Sequence, residues 1–157
     1  MRVKQIMSQP VLTVREDATL EEVATLMLQH RISGVPVVND SGAVVGIVTE
    51  WGFTAKEKRL PFAMVSFPQL FKQYLDQGEV DAIYQSARTL TAREILSTNV
   101  LTVTEDDLVR TVLERLLQRH VYHILVVRDG LPIGIVTRHD LLKVMLAEPA
   151  APIAKVE

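Results

Sequence analysis

Val11 to Val38 reads "VLTVREDATLEEVATLMLQHRISGVPVV", and Val100 to Val127 reads "VLTVTEDDLVRTVLERLLQRHVYHILVV". The second stretch lies over the first without a gap, at a shift of 89 residues from Val11 to Val100. Beyond it, "NDSG" shortens to "RDG", and "GIVT" at Gly46 meets "GIVT" at Gly134. About eighteen positions agree across roughly fifty, so the chain is an internal duplication.

Each copy carries the same local signals. "VLTV" reads as a short strand. Thr19 followed three residues later by Glu22 reads as a capping box. Leu20, Val23, Ala24, Met27 and Leu28 then follow the spacing of an amphipathic helix, as do Val109, Val112, Leu113, Leu116 and Leu117. "VPVV" or "ILVV", a turn rich in Asp and Gly, and "VVGIV" or "PIGIV" read as two strands in a hairpin. A second helix follows "GIVT": clear in "RHDLLKVMLA", weaker in "EWGFTAKEKR". The expected unit is β-α-β-β-α, of a size at which a lone domain is marginal. The expected fold is therefore α/β (α+β), with two repeats packed sheet to sheet. The division expected is 1–55 for the first repeat, 56–91 for a connector, 92–147 for the second repeat and 148–157 for a frayed tail, all within one 157-residue module. The connector reads as helical through "FPQLFKQYLDQGEVDAIYQSARTL". It either covers a sheet edge, gates a cleft or builds a dimer contact.

Composition narrows the function. Apolar residues make up 48% and charged residues 23%, the balance of a globular chain. Lys and Arg number 17 against 19 Asp and Glu, a net charge of −2, which gives no reason to expect nucleic-acid binding. With no cysteine there is no disulfide, thiolate metal site or cysteine nucleophile. No apolar run approaches the roughly 20 residues of a membrane span, so a cytoplasmic protein is expected.

The leader pattern "I-M/L-S-x-x-V-x-T-V", found twice, with "H-R-I-S-G-V-P-V-V" in the first copy and "G-I-V-T-x-x-D" in the second, resembles a tandem pair of cystathionine-beta-synthase (CBS) domains. The resemblance covers Val3 to Phe53 and Ala92 to Ala147. It implies a pseudo-twofold module with two clefts that hold adenosine-containing ligands, such as AMP, ADP, ATP or S-adenosylmethionine. It also implies pairing into a homodimer, and regulation of an attached or partner protein without catalysis.

"TRHD", Thr137 to Asp140, has two readings. Locally it is a capping motif, with an acid in the first turn of a helix. In the family the same pattern grips a nucleotide: the carboxylate accepts both hydroxyls of a ribose, and the hydroxyl and helix N-terminus face phosphate. The readings are compatible, because a ligand can recruit a cap. The first copy has Thr49 but Gly52 in place of the acid, so one complete site per chain is expected, with a degenerate second cleft.

The resemblance supplies the remaining ligand-binding candidates. Backbone of Ile32, Ser33 and Gly34 reads the adenine edge; Ser8, Pro10 and Leu12 line the same cleft; Ile135 packs against base or sugar; His123 faces the phosphates. Tyr122 stands where the first copy has Ser33, and either stacks on a base or plugs the cleft that lacks an acid. Trp51 covers that cleft or lies at a dimer contact.

Three functional classes are weighed. The leading expectation is a ligand-sensing regulatory module, with an adenosine compound as regulatory ligand and an unidentified protein as the regulated partner. The alternative is a structural interaction or dimerisation module with unoccupied clefts. An enzyme is disfavoured: no triad order, metal-spaced His pair or phosphate-cradling loop is present, and no catalytic residue or metal ligand is assigned.

Overall fold

A computed structural model gives the structure of the chain and describes residues 1–54, 81–82, 85, 87–119 and 121–147. Most of the connector 56–91, His120 and the tail 148–157 lie outside the described residues. The chain forms two compact units: Leu12–Asn99, and Met1–Val11 together with the chain from Val100 onward. These units cut the chain differently from the repeats, because the first eleven residues pack with the second copy and residues 92–99 with the first.

In the unit from Leu12 to Asn99, the elements are β1 (Val14–Arg15), α1 (Leu20–His30), β2 (Gly34–Val38), β3 (Val44–Thr49), α2 (Glu50–Thr54) and α3 (Ala92–Ile95). The sheet order is β1-β2-β3, with β1 parallel and β3 antiparallel to β2. Only the last residue of the first "VLTV" joins the ladder. At α1 the capping box forms as its sequence predicts. The Glu22 amide donates to Thr19 Oγ1 at 3.2 Å, and the Thr19 amide donates to Glu22 Oε2 at 2.7 Å. Arg31 closes the helix in the left-handed region at φ 52°. Leu20, Val23 and Met27 are buried against Val35, Val37, Val48, Ala92 and Ile95.

Leu28 departs from the expected stripe and is 80% exposed. Eight residues on from Leu20 at 3.6 per turn, it sits roughly 80° further round the helix and falls off the edge of the apolar face.

The other unit mirrors this order. A 3-10 turn (Val3–Gln5) precedes β4 (Leu101–Val103), α4 (Val109–Arg119), β5 (His123–Arg128), β6 (Leu131–Thr137) and α5 (Arg138–Ala147). β4 is parallel and β6 antiparallel to β5. The β5–β6 hairpin turns on two residues, Asp129 at φ 52° and Gly130 at φ 79°. Two positive φ values are what a type I′ turn requires and what Asp-Gly supplies. Val3 and Ile6 of the leader, the segment 1–10 before the first copy as 92–99 is before the second, are buried with Val103, Val109, Val112, Leu116, Ile124, Val126 and Val136.

The leaders explain the crossed division. The Ser8 amide donates to the Ile135 carbonyl at 2.9 Å, and the Ile135 amide donates to the Ser8 carbonyl at 3.1 Å. In the first unit Ser97 and Ile47 make the same exchange, at 2.8 and 3.0 Å. Each leader therefore pairs with the last strand of the copy it does not precede. The "GIVT" glycine makes room for it. A Cβ on Gly134 would meet Met7 Sδ at 2.7 Å, and one on Gly46 would meet Leu96 Cδ1 at 2.5 Å and the Ser97 carbonyl at 2.8 Å.

Candidate functional site

β6 ends at Thr137 and α5 begins at Arg138, so the strand delivers Asp140 into the first turn of the helix. Asp140 is 2% exposed, one of two buried polar side chains among the described residues. Its Oδ2 accepts from the Thr137 amide at 2.8 Å and from Thr137 Oγ1 at 3.0 Å. Its Oδ1 accepts from Ser8 Oγ at 3.2 Å and from Lys143 Nζ at 2.5 Å. The same ammonium donates to the Ile6 carbonyl at 3.1 Å. The bond from the Thr137 amide is one half of a capping box, so the local reading of "TRHD" is physically present.

Burial alone would raise the pKa of Asp140. The hydrogen bonds from Lys143 and from the amide and hydroxyl of Thr137, with the ammonium charge, outweigh it and hold the carboxyl below its ordinary 3.8. The group is thus an ionised carboxylate at neutral pH.

The other buried polar residue is His123, 9% exposed at the start of β5 and paired in register with Thr137. Desolvation lowers its pKa from 6.5, so it is neutral at pH 7. Ile135, two residues before Thr137, is half-buried and holds the leader at Ser8. Ser8, His123, Ile135, Thr137 and Asp140 therefore form one continuous group of bonded and paired residues, while Pro10 is exposed further along the leader. Tyr122 is 44% exposed, with the Arg138 guanidinium 4.2 Å from its ring centroid in a cation–π contact.

Ile32, Ser33, Gly34, Leu12 and Thr49 belong to the other unit. There Gly34 pairs with Thr49 across β2 and β3, and the Ser33 carbonyl accepts the Glu50 amide at 3.2 Å. The Ile32 amide is bonded to the Met27 carbonyl at 3.0 Å. Gly52 takes the place of the acid, and a Cβ there would lie 3.5 Å from the Ile95 carbonyl, an ordinary contact. Trp51 beside it is 70% exposed.

Lys143 escaped the reading of the sequence. Its signal was its position three residues after Asp140 on a helix, where side chains meet. Ile6 had no local signal at all. Among the described residues no three His, Asp or Glu side chains cluster as a metal site, and no helix is long and apolar enough to cross a membrane.

Comparison with known proteins sets this geometry in a family. The chain is similar to L-aspartate semialdehyde sulfurtransferase of Methanocaldococcus jannaschii, 27% identical over 140 residues, covering 88% of this chain. It spans only 22% of that enzyme's length. Among solved structures, the CBS domain of a CBS domain containing membrane protein from Sphaerobacter thermophilus is 37% identical, at TM-score 0.75 over 94% of this chain and 90% of that one. The CBS domain pair of protein MJ0100, in complex with 5'-methylthioadenosine and S-adenosyl-L-methionine, is 27% identical, at TM-score 0.66 over 92% and 99%. The CBS domain family matches residues 3–55 and 92–147. Matched twice, and over more than half its length, this chain of mixed α+β structure belongs to the CBS domain family as a tandem pair.

Proposed function

We propose that the chain is a regulatory module that binds an adenosine-containing ligand through Asp140 and passes its occupancy to a homodimer contact or a regulated partner protein, without catalysis. The observation that carries this reading is the buried, ionised Asp140 at the start of α5, held by Thr137. A carboxylate in that setting matches the donors of a ribose cis-diol, and the first turn of the helix suits a phosphate. The 27% identical CBS pair with 5'-methylthioadenosine and S-adenosylmethionine supports the ligand class. In this reading Ile135 packs against the sugar, Ser8 and Pro10 line the site, and His123 faces the phosphates. The second copy alone supplies an acid, so one ligand binds per chain. A cytoplasmic location is part of the same reading.

Titration calorimetry with adenosine, AMP, ADP, ATP and S-adenosylmethionine, on the wild type and on Asp140→Ala, tests it. The expected result is one site per chain for at least one of these ligands, weakened about ten- to hundredfold by the substitution, as for a lost hydrogen bond to a charged group. Equal affinity in the two proteins removes Asp140 from the site.

The second reading is a structural interaction module with empty clefts. One observation favours it: both oxygens of Asp140 are already satisfied within the chain. In that case none of the five ligands raises the unfolding temperature, since a compound that binds the native state must do so.

A further inference from the structure

The four hydrogen bonds on Asp140 fall into two pairs of different kind. Oδ2 takes both of its bonds from Thr137, one of them from a backbone amide fixed where β6 turns into α5. That bond cannot leave without uncapping the helix. Oδ1 takes its bonds from the tips of two side chains, Ser8 Oγ and Lys143 Nζ. A carboxylate offers about four acceptor sites, and all four are in use. Any hydroxyl that comes to Asp140 must therefore take a place from Ser8 or Lys143.

Of these two, Lys143 is the stronger occupant. Its bond at 2.5 Å joins two opposite charges, whereas the Ser8 hydroxyl is neutral and at 3.2 Å. Lys143 is also free to go. Its side chain is 49% exposed against 3% for Asp140, so on leaving the carboxylate the ammonium has water within reach.

We infer that Lys143 is the affinity-setting residue of the site, an internal competitor: a ribose cis-diol brings two hydroxyls and so needs both places on Asp140 Oδ1, and Lys143 is the harder of the two occupants to displace. This role rests on Asp140 being the ribose acceptor. Lys143 is a positioning residue: it acts on the ligand through Asp140. Removing the ammonium leaves Asp140 held by Thr137 and frees one of the two places on Oδ1, with only the neutral Ser8 hydroxyl on the other. The consequence runs against the usual effect of deleting a polar group near a site, because binding becomes tighter.

The test uses adenosine, which is uncharged, so that the lysine's attraction for phosphate does not enter the result. Calorimetry compares wild type, Lys143→Met, Lys143→Arg, Asp140→Ala and the Asp140→Ala/Lys143→Met double variant. Lys143→Met is expected to bind adenosine about three- to tenfold more tightly, the range of a partly exposed charged hydrogen bond. Lys143→Arg, which restores a charged donor, is expected to stay near wild type. The double variant is expected to bind no better than Asp140→Ala. If Lys143→Met fails to fold, as judged by its thermal transition, Lys143→Gln gives the same comparison. Should Asp140→Ala lose adenosine while the neutral Lys143 variants bind it no better than wild type, the competitor role is overturned and the Asp140 site stands. Should adenosine bind wild type and Asp140→Ala alike, both fall together; should it bind none of the variants, the competitor role falls, and the Asp140 reading is decided by the four charged ligands.

Discussion

Ser8 and Ile135 face each other as an antiparallel bridge, their backbones joined at 2.9 and 3.1 Å, although they lie 127 positions apart in the chain. The bridge lies beside Gly134, and its counterpart between Ser97 and Ile47 lies beside Gly46. The two glycines are not equally crowded. A Cβ on Gly46 would press on the Ser97 carbonyl at 2.8 Å, which is backbone, while one on Gly134 would chiefly meet the flexible end of Met7, with the Ser8 carbonyl at 3.3 Å. Gly46→Ala is therefore expected to cost about 2–3 kcal/mol and Gly134→Ala about 1 kcal/mol, within the range of overpacking. Urea unfolding of the two variants measures the difference; a reversed order would show that the leaders do not press on the strands as described.

Asp140 contributes to stability whether or not a ligand binds. Asp140→Ala removes the acceptor for the Thr137 amide at the start of α5 and leaves the Lys143 ammonium with the Ile6 carbonyl alone. A loss of about 1–3 kcal/mol is expected, from the lost cap and the unpaired donors. Asp140→Asn keeps an acceptor and is expected to lose less. Equilibrium unfolding without ligand separates this structural cost from any effect on binding.

Two buried groups give acid unfolding two windows. His123 has a folded pKa pushed below 6.5 by desolvation, so the unfolded chain takes up its proton first. Its contribution is complete above pH 6.5 and declines as the pH falls from there toward the lower folded value. Asp140, held below 3.8, contributes fully above that value and is lost as the pH falls further through its folded pKa. Both make the protein less stable toward acid, in successive ranges. Replacing His123 by Gln is expected to flatten the stability curve just below pH 6.5 while leaving the fall below pH 3.8 in place.

Gly52 marks where an acid is missing, and its Cβ position has ordinary clearance, 3.5 Å from the Ile95 carbonyl and 3.7 Å from Ile95 Cδ1. Gly52→Asp is expected to fold and to bring adenosine stoichiometry from one toward two per chain, read by calorimetry. Trp51, adjacent and 70% exposed, gives a fluorescence signal for the new site. Unchanged stoichiometry would mean that the acid alone does not make the first copy competent.

What was legible in the sequence was local. Thr19 and Glu22 lie three residues apart and form the box that their types predict. Asp129-Gly130 makes the two-residue turn, and Thr137 with Asp140 forms its half of a cap. The conserved spacing of two copies made the family legible as well. What was hidden is what distant parts of the chain do to one another. Nothing around Ile6 points to α5, and Ser8 was set beside Asp140 only by the family resemblance, yet both bond into the Asp140 cluster. Leu28 fits a helical stripe by spacing, and only packing decides which edge of that stripe is covered. The glycine of "GIVT" was visible as a motif, but its cause is the leader laid across it from the other copy.

The traded leaders carry a consequence for dissecting the molecule. A fragment ending near residue 55 would hold a leader whose pairing strand is gone and a β3 edge with no Ser97 to cover it. Such a half is self-complementary with a twin, since each would offer the arm the other lacks. Expressed alone, a single copy is therefore expected to dimerise by arm exchange, which sedimentation of the fragment would show.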